Sequence, residues 1–145
     1  MERYLSSANK RYEYKYLIGR DLAKNITDFL QQYLELDEYG TGRENNSYTV
    51  RSIYYDSPSF TCFHEKLEGQ KYREKFRIRT YNELGSAPFF LEDKMKNGSS
   101  YVKYRATLTD DTLEIIQDPG SDSVPEIPLS KKDKSLIDRL LFHIL

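Results

Sequence analysis

Residues 71–81, KYREKFRIRTY, constrain the fold of this chain more than any other stretch. At a period of two, Lys71, Arg73, Lys75, Arg77, Arg79 and Tyr81 share one face of a strand. Tyr72, Glu74, Phe76, Ile78 and Thr80 share the other. Five cations on one face of a short, stiff element need either solvent or a strongly anionic partner.

Composition sharpens that choice. The chain has 145 residues, which is one domain by length, with thirteen Tyr and no Trp. Tyr-rich strands suit a sheet that is apolar on one face and polar on the other. The formal net charge is −1, which argues against a general nucleic-acid binder. Charge is nevertheless segregated. Between Lys66 and Arg105, ten Lys and Arg face five Asp and Glu, a local excess of +5 in an otherwise acidic chain. That pattern describes a focused anion site. Cys62 stands alone, so no intrachain disulfide forms and a reducing compartment is expected. With no apolar run near the roughly 20 residues a bilayer requires, and no signal-peptide core, the expectation is a soluble cytoplasmic protein.

Along the chain, Lys10–Ile18 alternates as a first strand, and Asp21 is placed to cap a helix carrying Leu22, Ile26, Phe29, Leu30, Tyr33 and Leu34 to about Leu36. Asp37–Ser47 is a polar loop, and Tyr48–Asp56 is the second strand. A short helix over about Ser59–Leu67 ends at Gly69, ahead of the basic strand. Phe89–Lys96 and Ser100–Leu108 flank Asn97-Gly98, a strong hairpin signal, after a loop at Asn82–Pro88. Thr109-Asp110-Asp111 caps a helix to about Gln117, Asp118–Pro128 reads as an acidic mobile linker, and Lys131–Leu145 is an amphipathic helix. The fold class is therefore α+β, with about five strands in a mostly antiparallel curved sheet and flanking helices.

If the hairpin pairs its strands, the charged faces can be assigned. Glu13 and Lys15, Arg77 and Arg79, Glu92 and Lys94, and Lys103 and Arg105 each mark one face of a strand whose other face is more apolar. A solvated antiparallel face explains any one of these. Four together, dominated by Arg and Lys with isolated Glu, favour a phosphate-binding surface. Carboxylates in a basic lining suit a divalent cation that bridges them to phosphate.

The ordered segments Tyr12–Tyr16, Val50–Asp56, Lys66–Gly69, Phe76–Tyr81, Leu91–Lys94 and Lys103–Arg105 resemble the VTC-type polyphosphate polymerase domain, a member of the CYTH-like triphosphate tunnel metalloenzymes. The resemblance implies half of a triphosphate-tunnel β-barrel whose interior cations hold polyphosphate. The implied activity is attack by the terminal phosphate of the chain on the γ-phosphoryl of a nucleoside triphosphate, with Mn²⁺ or Mg²⁺ assisting. Lys15, Arg77, Arg79, Lys94 and Lys103 are the implied phosphate-holding residues, with Lys66 and Arg105 beside them. Glu13 and Glu92 are the candidate metal ligands, a counter-ion role being the competing reading. The match runs to about Leu108, so residues 1–108 are expected to be the N-terminal half of the domain. Residues 109–145 are then a helical extension leading to a second half outside this sequence. Five strands are too few to close a tunnel, so the resemblance leaves activity of this chain open, and a second chain or copy is expected over the open edge. A triphosphatase of the same superfamily and a non-catalytic binder of polyphosphate or single-stranded nucleic acid are the alternatives.

The remaining chemistry-bearing residues read as structural. His64 and His143 are isolated on helices, Cys62 is a small buried apolar residue, and Tyr54-Tyr55 is strand core. Gly40-x-Gly42 lacks the length and the Lys of a P-loop.

Overall fold

The computed structural model describes residues 11–82, 85, 87–118 and 130–145. Lys10, part of the 82–88 loop and the linker beyond Asp118 lie outside these residues. Tyr14–Thr49 forms one compact unit, and the rest of the described chain forms another.

The larger unit is built on an antiparallel sheet. Its strands are β1 (Arg11–Tyr12), β2 (Arg51–Tyr55), β3 (Tyr72–Arg73), β4 (Phe76–Thr80), β5 (Phe89–Asn97) and β6 (Ser100–Leu108). The spatial order is β1-β6-β5-β4-β2, with β3 also on β5, so the sheet is open and not a barrel. One strand more than expected appears because the basic segment is interrupted. Tyr72 pairs with Asn97 and Phe76 with Asp93, so the register runs on unbroken, and Lys75 exchanges both backbone hydrogen bonds with Lys94. The break falls at Glu74, whose carboxylate is drawn to Arg139.

The expected first strand is much shorter than its alternation suggests. Arg11 and Tyr12 pair with Tyr101 and Ser100, the first residues of β6. Residues 13–18 form no strand of their own. Period-two patterning states which face a residue would take, not whether a partner strand is long enough to receive it.

Helices α2 (Thr61–Leu67), α3 (Asp110–Gln117) and α4 (Lys131–Ile144) complete this unit. Thr109 caps α3 through a reciprocal pair with Thr112, and Ser130 caps α4 through the Asp133 N–H. The core lies between the apolar face of the sheet and these last two helices: Phe76, Ile78, Leu91, Ala106 and Leu108 meet Ile116, Leu136, Ile137 and Leu140. Leu91 and Leu140 are completely buried.

In the smaller unit, α1 covers Arg20–Leu30, and its N-cap is Gly19, with Asp21 in the first turn. Beyond Leu30 the chain tightens into turns, with Gln32 and Tyr33 N–H groups reaching carbonyls only three residues back, so the helix stops short of Leu36. The Asp37–Ser47 segment is a turn-rich loop in which Gly40 approaches Asn46 so closely that a Cβ would sit 2.7 Å from its carbonyl oxygen. Among the described residues, no helix is long and apolar enough to cross a membrane.

Candidate functional site

Sheet register dictates which side chains meet on the face away from the helices. Tyr54, Arg77, Glu92 and Arg105 lie in one row across β2, β4, β5 and β6. Ser52, Arg79, Phe90 and Thr107 form the next row. Lys75, Lys94 and Lys103 form a third. Six cations are thus gathered on one side of four strands.

Glu92 is the hub of this surface. Its carboxylate is buried under its neighbours, with 1% of the side chain exposed. Oε2 accepts from Arg77 Nε at 2.8 Å and lies 2.6 Å from Arg77 Nη2. Oε1 accepts from Arg105 Nε at 2.8 Å and lies 2.5 Å from Lys103 Nζ. Arg79 Nη1 stands off at 4.0 Å. Burial alone would raise the pKa of Glu92, but Lys103, Arg105 and Arg77 outweigh it and hold the group at about 2. Lys94 and Lys103 are directly opposed, a repulsive cross-strand pair in isolation. The repulsion is relieved because Lys103 turns to Glu92 and Lys94 pairs with Glu13.

Tyrosines frame the cations. Arg77 Nη1 donates to the Tyr54 hydroxyl at 3.0 Å, and that bond lowers the tyrosine's pKa. Arg105 donates to Tyr81 at 2.7 Å and stacks over Phe90, while Lys94 lies 4.4 Å from the Tyr101 ring centroid. Arg79 donates to Ser52 at 3.1 Å.

The structure brings together Arg77, Arg79, Lys94, Lys103 and Arg105, with Glu13 and Glu92 between them. Two other expected residues lie on other elements. Lys15 is exposed in the Tyr14–Thr49 unit, because β1 ends at Tyr12 and does not carry the alternation that far. Lys66 lies off the sheet on the last turn of α2. Lys75, Tyr54, Tyr81 and Tyr101 were missed as site residues. Lys75 had a signal, since it alternates with Arg77 and Arg79. Burial first, and then the Lys66 charge, lowers its pKa. Tyr54 is not strand core: it is 60% exposed on the charged side, and Tyr55 takes the core side.

Neither carboxylate of this surface makes a ready divalent-metal cage. Both Glu92 oxygens are committed to Arg and Lys donors, and Glu13 Oε2 to Lys94. Cations on every side oppose a bare divalent ion there. A largely apolar cavity of about 560 Å³, lined by Ile53, Tyr55, Ile78, Phe89 and Leu113 with Arg51 and Arg79, opens beside β2 and β4.

A second convergence lies away from this face. Asp56 Oδ1 accepts from the N–H groups of Ser57 and Cys62, both at 2.8 Å, and Oδ2 accepts from Phe63 N–H at 3.0 Å. His143 of α4 places Nε2 3.2 Å from Cys62 Sγ and 3.7 Å from Asp56 Oδ1. Cys62 is buried as expected, and burial followed by the nearby Asp56, Glu65 and Glu74 charges pushes its thiol up to about 12. His143 is not isolated. Sequence gave no signal for this grouping, because 81 positions separate Cys62 from His143.

Among curated proteins, no sequence matches the chain. VTC domains are associated with polyphosphate polymerase function and are generally metal-dependent. The family model for the VTC domain matches residues 10–140, which takes in the whole sheet, α3, most of α4 and the charged face just described, and the chain therefore belongs to the VTC-domain family.

Proposed function

We propose that the charged face binds inorganic polyphosphate and the triphosphate of a nucleotide, and that the chain is the N-terminal half of a polyphosphate polymerase domain. In that domain the terminal phosphate of the polymer would attack the γ-phosphoryl of a nucleoside triphosphate such as ATP, breaking the β–γ bond, lengthening the polymer by one phosphate and releasing the nucleoside diphosphate. The observation that carries this reading is the gathering of Arg77, Arg79, Lys94, Lys103 and Arg105 on one face of β4, β5 and β6. Planar guanidinium forks suit bidentate capture of phosphate oxygens, and ammonium groups add point charge. Phosphoryl transfer asks chiefly for in-line positioning and charge neutralisation, so the absence of a protein nucleophile on this face is no obstacle.

Glu92 and Glu13 are, in this reading, counter-ions that keep the cations extended and aimed until phosphate arrives. Mn²⁺ or Mg²⁺, implied by the family, is assigned to the phosphate chain as its counter-ion, not to a protein cage. Lys66, whose charge is felt at Lys75, would support the outer end of the face; Lys15 is retained as a phosphate ligand on motif position alone. Residues 1–108 would supply the tunnel wall and residues 109–145 the helical extension toward a second half. The exposed edge strand β2 supports a second chain or copy as the partner that covers it. The lone cysteine supports a cytoplasmic location.

The openness of the sheet favours one further reading, a non-catalytic polyphosphate binder, since a single wall can bind without enclosing a reaction. Purified chain incubated with labelled polyphosphate, with and without ATP and Mn²⁺, separates the two. Chain elongation identifies a polymerase, binding without elongation a binder, and phosphate release a triphosphatase. Arg77→Ala with Arg79→Ala is expected to weaken polyphosphate binding at least 100-fold, on the order of two charge-assisted contacts. Unchanged binding in the double variant would remove the face from consideration.

A further inference from the structure

We propose that Asp56, Cys62 and His143 form a site for a thiophilic divalent transition-metal ion of the Zn²⁺ kind, independent of the phosphate-binding face. The three residues come from the end of β2, the first turn of α2 and the last turn of α4, and each points a ligand atom at the same small volume. The carboxylate oxygen, the sulfur and the imidazole nitrogen all lie within 4.8 Å of one another. Neighbouring ligands of a tetrahedral Zn²⁺ with bonds of about 2.0–2.3 Å are about 3.3–3.8 Å apart. The Sγ–Nε2 distance of 3.2 Å is close to that spacing.

The surroundings favour an ion over a bare hydrogen-bonded pair. Asp56 spends three of its four acceptor positions on backbone N–H groups, which fix its orientation and leave one acceptor position on Oδ2. Phe60, with φ of +54°, turns the chain so that the N–H groups of Cys62 and Phe63 face that carboxylate. The Phe76 ring packs 5.3 Å from the imidazole and holds it against the sulfur. Binding a dication at Sγ would release the Cys62 thiol proton to solvent. The mixed sulfur, nitrogen and oxygen set selects Zn²⁺ or Co²⁺ over the hard Mn²⁺ and Mg²⁺ that phosphate brings. Three protein ligands leave one position open. The Asp56 and His143 side chains are about one-fifth exposed, so that position faces solvent.

The test uses the full chain, stripped of metal and kept reduced with a non-thiol reductant, titrated with Co²⁺ alone. Expected is a thiolate-to-cobalt charge-transfer band that saturates at one ion per chain and is displaced by Zn²⁺. Because Cys62 is the chain's only cysteine, any such band reports this sulfur. His143→Gln is expected to weaken Co²⁺ binding at least tenfold while leaving far-UV circular dichroism unchanged. If that variant does not fold, Asp56→Asn, which retains an acceptor for the α2 N–H groups, serves in its place with the same expectation. Arg77→Ala with Arg79→Ala should leave the band untouched. No band on the wild-type chain, or a band of equal affinity in a folded His143→Gln or Asp56→Asn variant, overturns the proposal.

Discussion

Adjacent residues of β5 carry the two most strongly displaced carboxylates among those described, in opposite directions. Glu92 points to the charged face and is held at about 2, the pull of Lys103, Arg105 and Arg77 overcoming burial. Asp93 points under the sheet with no exposed surface, and neither of its oxygens accepts a hydrogen bond. Arg139 Nη2 lies 2.9 Å from its Oδ2 without hydrogen-bonding geometry. Burial, and then the Glu74 charge, pushes Asp93 up to about 7 against the opposing pull of Arg139. The consequences for stability have opposite signs. A depressed carboxylate contributes stability above its unfolded value near 4.5, and that contribution is lost as pH falls through 2. A raised carboxylate is best tolerated below its unfolded value of 3.8, and ionisation makes the fold progressively weaker as pH climbs towards 7. Urea unfolding between pH 3 and pH 8 separates the two. Glu92→Gln is expected to cost about 3 kcal/mol at pH 7, because three cations lose a buried partner, and to lose less of its stability on acidification than wild type does. Asp93→Asn is expected to lack the decline between about pH 4 and pH 7, so its advantage over wild type grows with pH. Parallel curves for Asp93→Asn and wild type would mean that Arg139 keeps the aspartate ionised.

Helix α4 spans fourteen residues and closes the underside of the sheet with Leu136, Ile137 and Leu140. Leu140 is fully buried against strand residues, so Leu140→Ala should destabilise the larger unit by about 2–5 kcal/mol, read as a lower urea midpoint. A surface change in the same helix, Lys132→Ala, should leave the midpoint within about 0.5 kcal/mol. That helix was legible from its apolar spacing, and so was α3 from Thr109 and the acidic turn after it. The hairpin was legible too, although its loop is shifted by one residue. Asn97 ends β5 and pairs with Ser100, and Gly98 alone takes a positive φ, the requirement of a two-residue loop with glycine in first place. These elements were readable because their signals are local. The limits of β1, and with them the placement of Lys15, depend on where β6 begins, ninety residues away in sequence. The meeting of His143 with Cys62 depends on how α4 lies under the sheet. Nothing within a short window of sequence carries that information. The faces of β4, β5 and β6 were legible for a further reason: alternation assigns a face to a residue whichever strand lies beside it.

Opposite charges are distributed unevenly through the chain, and this decides what kind of polyanion the molecule can hold. With a formal net charge of −1, long-range attraction to an extended polyelectrolyte is weak, whereas the clustered cations of β4, β5 and β6 create a strong local field. Polyphosphate carries about one charge on every phosphorus along a thin chain with no base or sugar. In the proposed reading, several of its phosphates would lie within reach of Arg77, Arg79, Lys94, Lys103 and Arg105 together. A single-stranded oligonucleotide spaces its charges by a sugar at each step and brings bases that need stacking platforms. Exposed Tyr54 could offer one such platform, but its hydroxyl is engaged by Arg77, and Tyr81 and Tyr101 lie beneath Arg and Lys groups. In a competition at fixed ionic strength, an oligonucleotide with as many phosphates as the labelled polyphosphate should fail to displace it at tenfold excess, while unlabelled polyphosphate displaces it fully. Raising the salt should weaken polyphosphate binding in the wild type and do so less steeply in the Arg77→Ala, Arg79→Ala variant, which has two fewer cations to trade for counter-ions. Equal displacement by oligonucleotide and polyphosphate would mean that the face reads charge alone, and the polymerase reading would give way to a general single-strand binder.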